Sequence, residues 1–140
     1  MGGINVKQWL IGGVAAAAVM FVLEGLGSVL YQEDMLAAME AFGLSGEMSS
    51  SMILISVTTS LLVGLTLVFF YAAVRPRFGP GPRTAAIVGF VLWLGSYLLS
   101  ILSMGWLGIF PSGMLVLWAL IGLVELQAAA WVGGRLYREA

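Results

Sequence analysis

Four apolar runs, Trp9–Tyr31, Met52–Val74, Ala85–Phe110 and Gly113–Gly134, decide what this chain can fold into. Each exceeds the roughly 20 residues that a helix needs to cross about 30 Å of hydrocarbon. Only 9% of the 140 residues are charged, against about a quarter in a soluble domain. The chain therefore lacks the polar material to wrap these runs in water, and they are expected to face lipid. Backbone groups in hydrocarbon must be satisfied within the segment, so the expected fold class is all-α. The chain reads as a single integral membrane domain, a polytopic protein whose four transmembrane helices form a bundle. The four prolines, Pro76, Pro80, Pro82 and Pro111, fall between the runs and leave the helices uninterrupted.

The basic residues set the expected orientation. Lys7, Arg75, Arg77, Arg83, Arg135 and Arg138 all fall on one side of such a bundle, and Glu33, Asp34, Glu40 and Glu47 fall on the other. Because cytoplasmic loops carry the lysine and arginine excess, both termini and the 75–84 loop (RPRFGPGPRT) are expected in the cytoplasm. Trp9, Tyr71, Trp131 and Tyr137 would mark the inner interface, with Tyr31 and Trp106 near the outer one.

The outer segment 32–51 reads QEDMLAAMEAFGLSGEMSSS. Met35, Leu36, Met39 and Phe42 recur at helical spacing opposite Glu33, Asp34 and Glu40, which predicts a short amphipathic extracytoplasmic helix. Asp34 is the expected cap at its start, Gly43 suits the position after its end, and Ser49–Ser51 offer a cap for the second span. Met35, Met39, Met48 and Met52 carry thioethers that suit Cu(I), but methionine is also a common gap-filler at apolar surfaces, so no metal is expected.

Composition removes several function classes. The chain has no cysteine and no histidine, hence no thiolate nucleophile, no usual zinc or haem ligand and no common general base. Serine and threonine in the spans have no partner base, so an enzyme is not expected, nor a cofactor. No basic tract interleaved with aromatics points to nucleic acid. The expected partners are the lipid bilayer and a second copy of the chain, since small-residue stripes containing Gly13 and Gly64 let helices approach closely in lipid.

The residues that break the apolar pattern are Glu24, in FVLEGLGSVLY, and Glu125, in LIGLVELQAAAW. A charged acid at the centre of a span costs about 2.5–3.5 kcal/mol on insertion scales, so such groups usually face the bundle or a wet cavity. Glu24 shares a stripe with Gly13, Ala17, Met20, Gly27, Ser28 and Tyr31, and Glu125 one with Trp118, Gly122 and Ala129, so both are expected to point inward. At 1.5 Å per residue Glu24 lies about 10 Å below Tyr31 and Glu125 about 18 Å below Gly113, so long side chains or waters would have to connect them. Thr58, Thr59, Ser28 and Tyr97 are the expected donors to the carboxyls, with Trp93 as an apolar or cation-facing wall. The plainer alternative is that each glutamate bonds locally and serves helix packing. FVLEGLGSVL also matches FVLWLGSYLL, at 21–30 and 90–99, as in the internal repeats of transporters.

FVLEGL in the first span, RPRFGPGPRT before a long apolar run, and the closing GLVELQAAAWVGGRLYRE together resemble small uncharacterised four-helix proteins of bacterial inner membranes. That resemblance implies a bacterial cytoplasmic membrane and carries no activity. The residues themselves point to an intramembrane acidic site for proton-coupled transport, or for binding a small cationic or lipophilic ligand. The competing expectation is a non-transporting accessory or scaffold protein that binds a partner protein or lipid. For the orientation, a cysteine at Ser45 should label from outside intact cells while one at Gly81 should not, and the reverse pattern would invert the topology.

Overall fold

The computed structural model describes residues 3–47 and 49–139, so Met48 of the methionine group lies outside the described residues. The elements are α1 (Val6–Ser28), α2 (Gln32–Ala41), α3 (Ser50–Phe78), α4 (Pro82–Leu92), a π-helical stretch (Trp93–Leu98), α5 (Leu99–Leu107) and α6 (Ser112–Leu136). No strand occurs among the described residues. Among the described residues, α1, α3, the continuous Pro82–Leu107 segment and α6 are the four helices long and apolar enough to cross a membrane.

The ends of the helices follow local chemistry. α1 starts at Val6, earlier than the apolar run implies, because the Asn5 side chain accepts from the Gln8 amide at 3.2 Å. Ser49 caps α3, as expected, by accepting from the Met52 amide at 3.3 Å. Pro76 is a correction: it lies inside α3, which continues to Phe78. Proline removes only one donor there, in the last turn, and Gly79, with φ of 81°, ends the helix. Pro82 opens α4 at its first position, where the missing N–H has no intrahelical partner to lose. Gly108, in the left-handed region at φ of 67°, stops α5.

Asp34 is a second correction, since α2 begins at Gln32 with Tyr31 before it and has no side-chain cap. Glu33 and Asp34 instead occupy its first turn, where the helix dipole favours negative charge. Gly43 does sit just past the end: its amide donates to Glu40 O at 2.9 Å and the Leu44 amide to Met39 O at 3.0 Å, the paired closure of a Schellman motif. On α2 Ala38 is buried, Met35 and Met39 are half-buried, and Leu36 and Phe42 stay exposed.

Packing between spans depends on glycine. An added Cβ at Gly12 would meet Gly133 O at 2.9 Å, on α6, and one at Gly13 would meet Leu65 Cδ2 at 2.6 Å, on α3. One at Gly64 would meet Gly13 O at 2.5 Å and Ala17 N at 2.6 Å. Adjacent glycines thus turn α1 toward two neighbours at once. The Gly13 and Gly64 stripes are therefore used within the chain, where the sequence offers them equally for self-association. Around them Ala16, Met20, Leu67, Val68, Tyr71, Ala85, Val88, Leu126 and Ala129 form the main core.

The end of the bundle that carries the basic residues is tied together. Tyr137 Oη accepts from the Asn5 amide at 3.2 Å, and Tyr71 Oη accepts from the Gly81 amide at 3.0 Å. The Arg75 guanidinium lies 5.7 Å from the centre of the Tyr137 ring. The opposite, acidic end is looser, for every buried residue of α3 lies from Gly64 onward.

Gly64→Ala should lower stability by about 1–3 kcal/mol, because its new methyl meets backbone that only a helix shift can relieve. Gly25→Ala, with open space around it, should be neutral or slightly stabilising. Thermal unfolding of both variants in mild detergent checks this, and equal behaviour of the two would remove the glycine contact as a determinant.

Candidate functional site: a carboxyl pair between the first and last spans

Glu125 is 2% exposed and Glu24 is half-buried, so both acids point into the bundle as the stripes predict. Their carboxyls are near neighbours, closer than the heights counted from the ends of the apolar runs imply. The reason is the register of the two helices, which places the acids at nearly the same height. α1 and α6 run antiparallel, with Gly12 beside Gly133 near one end and Gly27 beside Ile121 near the other. Between those contacts Glu24 stands level with Glu125 to within about two residues, roughly 3 Å of rise.

Donors to the pair come mainly from aromatic side chains. Tyr31 donates its hydroxyl to Glu24 Oε1, and Tyr97 donates to Glu24 Oε2 at 3.4 Å. Tyr97 is one of the donors expected from sequence. Tyr31 was read there as an interface marker, although its place seven residues after Glu24 on the same stripe was the available signal. The chain turns after Ser28, which lets the 5% exposed Tyr31 fold back over the acid, with the Trp118 ring tilted against it at 5.6 Å.

Glu125 is less well satisfied. Its Oε1 is buried and has no hydrogen-bond partner among the described residues. Glu24 is within reach, but two ionised carboxylates have only acceptors, so that contact becomes a hydrogen bond only when one of them carries a proton.

The remaining expected residues are placed elsewhere. Thr58 and Thr59 are exposed on the part of α3 that has no buried residues, and Thr58 Oγ1 donates to Leu54 O of its own helix at 2.7 Å. Ser28 Oγ likewise turns back to Gly25 O at 2.9 Å. None of these three donates to a carboxyl, because a hydroxyl in a helix readily bonds the carbonyl one turn before it. Trp93 packs at the core edge, and its Nε1 donates to Ala119 O at 2.8 Å, which fixes the third span against α6.

Trp93 and Tyr97 both belong to the π-helical stretch, which no pattern in the sequence announced. Its widened hydrogen bonding runs, for example, from the Leu99 amide to Leu94 O. Gly95 and Ser96 weaken the regular helix there, and Ser96 Oγ takes up Leu92 O at 2.6 Å. Stretches of this kind occur mostly as single turns within α-helices and frequently at functional sites. Of the two internally similar segments, then, the one in the third span crosses the π stretch, while the one in the first stays α-helical to Ser28. Gly122 completes the arrangement: a Cβ there would meet the Tyr97 ring at 2.3 Å, so only glycine leaves that ring its path to Glu24.

Among the described residues, two of the cavities that border the bundle bear on the site. One, of about 320 Å³ at the basic end, is lined by Tyr71, Pro82, Trp131 and Arg135, and the Arg135 guanidinium is already stacked 5.4 Å from the Trp131 ring centre. The other, of about 360 Å³, is a groove between α1 and α6 walled by Leu23, Leu26, Leu30, Leu120 and Val124, with Glu125 in its lining. No protein-family model, curated protein or solved structure matches the chain.

Removing the Tyr31 hydroxyl should disturb Glu24 more than removing that of Tyr97, whose bond is longer. We expect Tyr31→Phe to cost about 1.5–3 kcal/mol, the worth of a hydrogen bond to a charged group. Infrared difference spectra should show a shifted Glu24 carboxyl band in Tyr31→Phe, Tyr97→Phe and Gly122→Ala. An unchanged band in Gly122→Ala would show that the glycine does not position Tyr97.

Proposed function

We propose that Glu24 and Glu125 form one intramembrane site that exchanges protons for a cation, in a small membrane protein that binds or transports a cationic or lipophilic ligand. The observation that carries this reading is the buried Glu125 oxygen without a donor, beside a Glu24 whose two oxygens are already served by tyrosines. A local packing role would satisfy both acids from their own surroundings. Among the described residues Glu125 Oε1 has no such partner, and a proton or a cation supplies what is missing.

Acids within apolar spans commonly mark proton relays and ion pathways. Protonated, the pair is neutral and suits a water-poor interior; ionised, it attracts positive charge. Proton and cation then compete for the same oxygens, which is the elementary requirement for coupling their movements. Tyr31 and Tyr97 hold Glu24 in place, Trp93 fixes the third span beside the site, and no metal or organic cofactor is invoked. On this reading the protein belongs to a bacterial inner membrane with both termini in the cytoplasm, as the basic residues imply.

A second reading is a non-transporting accessory protein. It draws support from Phe42, 60% exposed, and Leu36, 40% exposed, at the acidic end, where α2 lying on the interface would meet a partner or lipid. The acids separate the two readings, since an accessory role tolerates Glu24→Gln and Glu125→Gln but not loss of Met35, Met39 and Phe42.

Adding a bound cation to weakly buffered protein should release protons, and both glutamine variants should abolish the release. Cation affinity should rise with pH, because fewer protons then compete for the carboxyl oxygens. Proton release that persists in both variants would place the exchange elsewhere.

A further inference from the structure

We infer that the ligand of this site is an amphipathic monocation that reaches Glu125 sideways from the lipid, through the groove between α1 and α6. This rests on the reading of the carboxyl pair as a cation site, and it adds the ligand's class and its route.

The groove holds about 360 Å³. Leu26, Leu30, Leu120 and Val124 on its walls are between 55% and 68% exposed, so it opens on the outside of the bundle rather than into its core. Those helix faces meet acyl chains in a bilayer. Glu125 is the only ionisable residue in the lining, and its Oε1 is the buried oxygen without a partner. A lipid chain would fill the apolar part and leave that oxygen unanswered.

Charge and surface together select the occupant. Glu24 is held by two tyrosines, so the unanswered acceptor is a single carboxyl, which matches one positive charge. A small hydrated cation gains nothing from leucine and valine walls and would lose its water on entering them. A cation carried inside its own hydrocarbon buries apolar surface on those walls, at about 25 cal/mol per Å², and keeps its charge for Glu125. Gly27 shapes the floor of this passage: a Cβ there would meet Ile121 Cγ2 at 2.8 Å, so the helices are in contact beside the open groove.

The test uses the full chain in lipid nanodiscs, with tetrabutylammonium and tetramethylammonium as probes in equilibrium binding. Tetrabutylammonium should bind at least tenfold more tightly than tetramethylammonium, and Glu125→Gln should remove that binding. Leu26→Trp and Val124→Trp, which fill the groove from either wall, should each weaken it at least tenfold. Leu102→Trp, on an exposed face of α5 away from the groove, should leave it unchanged. Equal binding of the two probes would overturn the ligand class, and wild-type binding by both groove variants would overturn the route. An equal loss in Leu102→Trp would overturn the groove assignment as well. If neither probe binds, the ligand class fails on its own where protons are still taken up by the pair; where Glu24→Gln and Glu125→Gln also leave proton uptake unchanged, the carboxyl site falls with it.

Discussion

Close backbone contact at the glycines of α1 is the constraint on which the rest of the structure depends. Lipid tails are as apolar as leucine, so helices in a bilayer gain little by hiding hydrocarbon from each other and must associate through close packing. Gly12 and Gly13 meet this requirement on two sides, one against Gly133 of α6 and the other against Leu65 and Gly64 of α3. With α1 fixed between these neighbours, the rotation and height of every residue further along it are set. Glu24 lies on that same stretch of helix.

The acid pair is thus a consequence of how α1 and α6 are joined. The antiparallel register fixed by Gly12 against Gly133 and Gly27 against Ile121 brings Glu24 and Glu125 to nearly the same height. Tyr31 and Tyr97 then approach from two more segments of chain, and Gly122 leaves room for the Tyr97 ring. The contact between α1 and α6 continues toward the acidic end at Gly27 and Ile121, and the exposed Leu26, Leu30 and Leu120 flank it and wall the groove beside Glu125.

The two ends of the molecule differ in packing. At the basic end, tyrosine hydroxyls and the Arg75 guanidinium tie the helix ends and the connecting turn together. At the acidic end the first turns of α3 carry exposed Leu54, Ile55 and Leu62, and pack against no core. The carboxyl pair lies toward the looser end, beyond the level at which Gly64 meets Gly13 and Ala17. The π-helical stretch sits between the two regions, in the span that carries Tyr97.

Hydropathy and charge alone determined the four spans, their alternation, and the segregation of basic from acidic residues, since each depends on the solvent a side chain prefers. Helical spacing also determined that Glu24 and Glu125 face inward, and the caps at Ser49 and Gly43 were legible from residue type. Tertiary structure decided the rest. Thr58 and Thr59 share the acids' approximate depth, yet α3 stands clear of the core there, and depth along one helix carries no information about its distance from another. Tyr31 became a donor only because the chain turns after Ser28. The meeting of the two carboxyls required the register between α1 and α6, the π stretch required competition between side-chain and backbone hydrogen bonds, and the groove required both walls. Each of these is a relation between segments far apart in the chain or a balance among local bonds, and a pattern of single residues does not record it.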